Sequence, residues 1–330
     1  MGKIFFKIIV LFLALFLSNQ ARSADSNNSM VQREEFLGDK LIVIGLPDFP
    51  PFSQYKNNEK GRPQLHNVFW QPLQKALKKY RLRLDTPLFL SLEDCGYVPL
   101  IVGLREGKYH LFLGAYSDTK KFSGIVPIYP AVVSNPIHII GLAEMPEKVK
   151  EIKDLQKLRG VVCDCEYFSD FAMRKINDLK VEHVATAYDA YEKLFTGKAD
   201  YLIGSWYYNR IMASQYGVER YLSASKKPLF KIPVFMSMSK ITPKLSEYIK
   251  MFQKILAEPQ FAVDIKNEIL REVETQVQKN IGVVPPSFAP QEQDEASTED
   301  EKTDDEVKIK GRVIEQQTQQ KSIEEVLEGI

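Results

Sequence analysis

"YPAVVSNPIHIIGL" (129–142) and "FKIPVFMSMSK" (230–240) decide how this chain folds. Both are too long for ordinary connections, which run to a median of about 4–6 residues, and too rich in β-formers for helices. The first follows one block of alternating strands and helices, and the second follows another. Two such crossings, one outward and one back, are what a two-lobed protein needs when its first lobe is completed by the end of the chain.

The flanking blocks carry the alternation. In the first, "KLIVIGL" reads as a strand, and "NVFWQPLQKALKKY" (67–80) places Phe69, Leu73, Ala76, Leu77 and Tyr80 on one helical stripe. "RLRLDTPLFL" returns as a strand, "GYVPLIVGLREGKY" as a helix closed at Gly107, and "HLFLGA" as the next strand. In the second block, "GVVCDC", "VEHVA" and "ADYLIGS" are strands. "SDFAMRKINDL", "AYDAYEKLFTGK" and "WYYNRIMASQYG" are the helices between and after them. Strand–helix alternation of this kind predicts parallel sheets covered by helices on both faces. "TPKLSEYIKMFQKILAE" and "FAVDIKNEILREVETQ" supply closing helices.

The N-terminus bears on the compartment. Lys3 and Lys7 precede an apolar run from Ile8 to Leu17 and then small residues, with Ala21-Arg22-Ser23 as a small-x-small site. This is the pattern of a secretory signal peptide over 1–23. A permanent anchor is the rival, but the run is short of the ~20 residues needed to span a bilayer. No cysteine follows it to mark a lipoprotein. Residues 24–37 are polar and expected to be loose. The remaining ~300 residues suffice for two lobes of about 100–150 each. A hydrophobic content of 44% with 11% aromatics describes a sizeable core. The net charge of +1 hides a split, because acids gather at the C-terminus. There is no basic tract interleaved with aromatics, which argues against nucleic acid as a partner. From about Pro285 the chain turns proline-led and then acidic ("PPSFAPQEQDEASTEDEKTDDE"), so 285–330 is expected to be a disordered tail, although "VIEQQTQQKSIEEVLEGI" carries a weak helical stripe.

"GLPDFPPFSQY" (45–55) lays three prolines and three aromatics just past the first strand. Pro47, Pro50 and Pro51 forbid helix, so the segment reads as a stiff, extended loop. Phe49, Phe52 and Tyr55 could line a crevice at the strand's carboxyl end, or merely cap the core. The three cysteines are awkward in an exported chain. A bridge between Cys163 and Cys165, two residues apart, is expected to be strained. Cys95 could pair with one of them.

The order of pieces between about Lys40 and Glu272 resembles bacterial extracellular solute-binding proteins of family 3, the polar amino-acid-binding components of ABC transporters. "KLIVIGLPDFPPFS" resembles the family's opening strand and Pro-Pro-Phe ligand loop. "VPLIVGLREGKYHLFLGAYSDTKKFSGIVPIYPA" resembles its helix, Gly-Lys turn, strand and Thr-x-x-Arg loop. "IKDLQKLRGVVC" is similar to the entry into the second lobe, and "AYEKLFTGKADYLIGS" to the late helix and strand. "VFMSMSKITPKLSEYI" is similar to the return crossing, with Lys240 at the usual lysine. The resemblance implies an α/β, two-lobed type II periplasmic-binding fold. Lobe one would comprise 38–132 and 236–275, and lobe two 133–235.

The departures bear on the ligand. The family's carboxylate-clamping arginine aligns with Lys121, or with Lys120 one step earlier, and lysine lacks the planar fork. At the family's ammonium-binding aspartate this chain reads Gly204-Ser205, and a serine cannot neutralise a buried ammonium. His110 replaces a further acid. The expected ligand is therefore a small polar or anionic metabolite and not a standard α-amino acid. The resemblance makes Phe49, Phe52, Tyr116, Lys121, Ser205 and Trp206 the candidate ligand residues, with Tyr207 and Tyr208 beside the last. It implies a periplasmic monomer without cofactor, serving an inner-membrane permease or, alternatively, a membrane sensor.

An enzyme on the same fold, such as a dehydratase, is the remaining class. The chain has no Gly-x-Ser-x-Gly and no His-Glu-x-x-His. Cys95, Cys163, Cys165, His66 and His110 could bind a soft cation, but lack tight ligand spacing. No disulfide between lobes is expected, with the thiols mostly buried.

Overall fold

The two long segments pair with each other. The computed structural model describes residues 40–116, 124–142, 146, 149 and 152–290. In it, strand β7 (Ile125–Leu142) runs antiparallel to β12 (Phe230–Ser239), from Phe230↔Ile137 at one end to Ser239↔Ile125 at the other. At about 3.3 Å per residue the 18 residues of β7 extend about 60 Å, far enough to serve two lobes.

On one side of this pair lie β1 (Lys40–Gly45), β5 (Arg83–Asp85) and β6 (Leu111–Ala115). On the other lie β8 (Gly160–Cys163), β9 (Glu182–Val184) and β10 (Tyr201–Ser205). The full order is β5-β1-β6-β12-β7-β10-β8-β9, with β11 (Leu222–Ala224) also on β7. Within each block the strands run parallel, as the alternation predicts, while β12 and β7 meet their neighbours antiparallel. Side-chain direction alternates along each strand, so the second block's sheet has two apolar faces. Ile137, Ile139, Val162 and Ile203 join the core shared with the first block, whereas Ile140, Val161 and Leu202 join a second cluster under the helices.

The helices start and stop where the local chemistry dictates. They are α1 (Trp70–Leu77), α2 (Tyr97–Arg105), α3 (Asp170–Asn177), α4 (Ala187–Phe195), α5 (Trp206–Gln215), α6 (Leu245–Leu256) and α7 (Pro259–Gln278). Ser169, Thr186 and Ser205 accept N-terminal amides of α3, α4 and α5. Pro259 opens α7, where its missing N–H costs nothing.

Three expectations need correction. "RLRLDTPLFL" contributes only Arg83–Asp85 as strand; Pro87 follows two residues after its end, and Leu88 and Leu90 are exposed. The loop at 45–55 holds β2 (Asp48–Phe49) and β3 (Ser53–Asn57), which pair with β4 (Pro63–Asn67) in a small antiparallel sheet. Residues 285–290, assigned to the tail, are packed: Ala289 is buried, and Phe288 meets the rings of Tyr188 and Phe195. Residues 1–39 and 291–330, which include the expected signal peptide and the acidic stretch, lie outside the described residues. Among the described residues no helix is long and apolar enough to cross a membrane.

That packed end joins both blocks. Asp264 of α7 pairs with Lys75 of α1 at 2.9 Å, and Gln54 donates to Glu272 at 3.4 Å. Further along, Glu274 lies 3.5 Å from Arg210 of α5, and Asn280 donates to Ser214 at 3.0 Å. The chain then passes over Gly217, where a Cβ would sit 2.3 Å from the Val283 carbonyl oxygen, so a bare backbone is required.

Candidate functional site

The carboxyl ends of β1, β6, β8 and β10 face one another across the β7–β12 crossing, and the chain there is aromatic. Ser53 donates to the Leu46 carbonyl at 2.8 Å, folding the Pro47–Phe52 turn back over β1. Gly45 permits this, because a Cβ there would meet Ser53 Oγ at 2.2 Å. The turn drives Phe49 and Phe52 inward, 2% and 0% exposed. Their rings lie 5.0 Å apart. Phe49 also meets Tyr116 edge-on at 5.4 Å, and Phe52 stacks near Phe69 at 6.2 Å.

Both phenylalanines reach the second block. Phe49 touches Tyr167 at 5.8 Å and Phe52 touches Tyr207 at 6.4 Å, both near-perpendicular, an arrangement aromatic quadrupoles favour. The two walls thus meet ring to ring.

A polar line runs beside the rings. Asn135, fully buried on the crossing strand, donates through Nδ2 to the Tyr116 hydroxyl at 3.0 Å. Its Oδ1 accepts from Ser205 Oγ at 2.7 Å. Ser205 ends β10 and caps α5, so the bond ties a helix N-terminus to the crossing strand.

Behind Ser205 lies Glu166, 6% exposed. Its Oε1 accepts from the Ser205 N–H at 2.6 Å, and its Oε2 from Asn209 Nδ2 at 3.3 Å. Burial outweighs both hydrogen bonds and pushes the carboxyl up to about 8, so it holds a proton at neutral pH. A Cβ on Gly204 would lie 2.7 Å from Glu166 Oε2. The acid absent from positions 204 and 205 is thus replaced nearby by one from the end of β8. At the outer edge sits the exposed Asp48, whose carboxyl is raised by desolvation against the opposing pull of Lys56. Its charge also raises the Tyr167 hydroxyl, after the larger effect of burial.

Of the candidate ligand residues, Phe49, Phe52, Tyr116 and Ser205 come together here. Trp206 turns away and packs, half-buried, on the second cluster under the helices, while its neighbour Tyr207 meets Phe52. Lys121 and Lys120 lie outside the described residues. Asn135, Glu166, Tyr167 and Asp48 were not singled out from sequence; an asparagine inside the apolar run "VVSNPIHII" was the one available signal.

The cysteines correct another expectation. Cys163 and Cys165 are disulfide-bonded, with their α-carbons 5.1 Å apart, inside the ~4.4–6.8 Å a bridge requires. The chain turns sharply after β8, with Glu166 N–H donating to the Cys163 carbonyl at 3.3 Å, and this turn brings the two residues to bridging distance. Cys95 is an unpaired, buried thiol, pushed up to about 12 chiefly by desolvation. Among the described residues no group of three or more His, Cys, Asp or Glu could hold a metal ion.

No family model matches the chain. No curated protein matches it in sequence. Solved structures do. A putative ABC-transporter binding component from Wolinella succinogenes, complexed with lysine, superposes with a TM-score of 0.52 at 18% identity, over 71% of this chain and 96% of that one. An ancestral cationic amino acid solute-binding protein gives 0.50 at 15%, over 71% and 96%. The periplasmic VFT2 domain of BvgS from Bordetella pertussis gives 0.50 at 15%, over 71% and 93%. At these identities the likeness is one of fold: this chain has the α/β, two-lobed fold of the periplasmic binding proteins.

Proposed function

We propose that this chain is an exported binding protein that closes its two lobes over a small polar or anionic metabolite for an inner-membrane importer. Lobe one is taken as 38–132 and 236–275, and lobe two as 133–235. The observation that carries the reading is the Tyr116–Asn135–Ser205 line. It joins the ends of β6 and β10 through the crossing strand, at the place where a ligand between the lobes would touch both. Phe49 and Phe52 form one wall of the site, Ser205 and the start of α5 the other, and Lys121 supplies the charge for an anion. Closure excludes water and strengthens every polar contact inside. The protein acts as a periplasmic monomer, uses no cofactor and turns nothing over.

The test is a thermal-shift screen of the purified protein against anionic and polar metabolites, followed by calorimetry. Saturable binding weakened by Lys121→Ala and by Ser205→Ala is the expected result. Micromolar binding of an ordinary α-amino acid, indifferent to Lys121→Ala, overturns the ligand class, and turnover overturns the non-enzymatic reading.

A second reading, a sensor or membrane-partner module, is favoured by one observation. Phe49–Tyr167 and Phe52–Tyr207 already fill the space between the walls with the protein's own rings. Silence across the ligand screen, together with capture of a membrane protein, would favour it.

A further inference from the structure

Each sulfur of the Cys163–Cys165 bridge has a hydrogen-bond donor aimed at it. The Cys165 N–H points at Cys163 Sγ from 3.2 Å, and the Tyr208 hydroxyl at Cys165 Sγ from 3.3 Å. Donors in these places stabilise negative charge on sulfur, and a sulfur so stabilised leaves more readily in thiol–disulfide exchange. The two ends differ in access, since Cys163 is buried and Cys165 half-buried. Cys95 differs in its partner: its thiol, buried like Cys163, donates to a backbone carbonyl, that of Ser91, at 3.6 Å.

We propose that the Cys163–Cys165 disulfide is an exchange site that accepts electrons from an uncharged or cationic dithiol, and that its opening loosens the second wall of the cleft. A thiolate of the dithiol attacks Cys165 Sγ. The sulfur–sulfur bond breaks, and its electron pair goes to Cys163 Sγ beneath the Cys165 N–H. The second thiolate of the dithiol then attacks its own sulfur in the mixed disulfide and releases Cys165 Sγ to the Tyr208 hydroxyl. Two electrons pass to the protein, the dithiol becomes a disulfide, and its two protons end on Cys163 and Cys165. Exposed Asp164 lies between the cysteines, and its carboxylate disfavours an anionic thiol such as glutathione.

The consequence follows from what the turn carries. Directly after Cys165 come Glu166, which holds the Ser205 N–H, and Tyr167, which rests on Phe49. Opening the bridge frees the turn from its tether, so contact between the walls becomes redox-dependent. None of this requires the ligand reading.

The full-length protein, under native conditions, is treated with dithiothreitol or with glutathione at matched thiolate concentration, quenched by alkylation and read by intact mass and peptide mapping. The expected result is labelling of Cys163 and Cys165 but not Cys95, faster with dithiothreitol than with glutathione. Deuterium uptake over 164–168 should rise to that of a Cys163→Ser/Cys165→Ser variant. Tyr208→Phe, with the donor to Cys165 removed, should slow resolution of the mixed disulfide at Cys165 about fivefold, the worth of one hydrogen bond, and leave the rate of its formation unchanged. The proposal is overturned if the bridge opens only after denaturation, if all three cysteines label without reductant, if glutathione is the faster reagent, or if the Tyr208→Phe mixed disulfide resolves at the wild-type rate.

Discussion

Replacing Glu166 by glutamine should raise stability relative to the wild type progressively as pH climbs from about 4.5 to about 8. The carboxyl is buried, and its folded pKa of about 8 lies above its ordinary 4.5. The folded state therefore binds the proton more tightly than the unfolded chain. Its favourable contribution is complete below about pH 4.5, shrinks as pH rises, and is gone above about pH 8. Integrated over that window the ceiling is about 5 kcal/mol, and relaxation around a buried charge brings the expected figure to about 2–4 kcal/mol. Other groups titrate nearby. His66, His110 and His138 are lowered mainly by desolvation and give stability that rises with pH through the histidine range, the opposite trend. The informative quantity is thus the difference between Glu166→Gln and wild type, in which the histidines cancel. Urea denaturation from pH 5 to pH 9 measures it. Glutamine cannot accept from both Ser205 N–H and Asn209 Nδ2, so the variant should start behind at pH 5 by about the worth of one hydrogen bond and gain about 2–4 kcal/mol on the wild type by pH 9. A difference that does not move between pH 5 and pH 9 would show that Glu166 is charged when folded and that its two hydrogen bonds offset its burial.

Three further outcomes are expected. Asn135→Ala leaves the Tyr116 and Ser205 hydroxyls without their shared partner and should cost about 1–3 kcal/mol in chemical denaturation; an unchanged midpoint would remove the polar line from the account. Phe288→Ala takes away the ring that sits 5.1 Å from Tyr188 and should cost about 1–3 kcal/mol, with faster proteolysis at 279–290 while the rest stays intact. Arg210→Ala breaks the 2.8 Å pair with Glu219 and the 3.5 Å contact with Glu274. At a side-chain exposure of 12% that pair is sheltered, so a loss of about 1–3 kcal/mol is expected, with raised deuterium uptake in the last turn of α7.

The fold was legible because its deciding signals are long. Strand–helix alternation repeats through two blocks, and the extended apolar segments are unmistakable once ordinary loop lengths exclude them. Gly107, Gly197 and Gly217 adopt the positive φ that ends a helix cleanly, so the stops could be read as well. What misled was short. Fifteen residues from Ser53 to Asn67 carry a hairpin whose alternation is masked by Lys56, Asn57 and Asn58, and no turn dipeptide of the tight kind marks it. The packing of 285–290 was hidden because six residues next to a long acidic run take on the character of that run; only Phe288 betrays them.

The site was half legible, and strand pairing explains which half. Phe49, Phe52, Ser205 and Tyr207 sit within a few residues of strand ends that the sequence already marks, so locating the ends located them. Glu166 belongs to another class. β8 and β10 run parallel with Val162 beside Ile203, and one step further along that register Cys163 lies level with Gly204. The turn after Cys163 then delivers the Glu166 carboxyl into the volume that a side chain on residue 204 would have filled. A reading along the chain finds glycine and serine where an acid was sought and concludes that no acid is there. A reading across the sheet finds one, supplied by a neighbouring strand, protonated by burial and turned toward a backbone amide. Such an acid rests protonated without ligand, and an ammonium would have to displace its proton, so it differs from the permanently charged aspartate whose place at 204–205 is taken by glycine and serine.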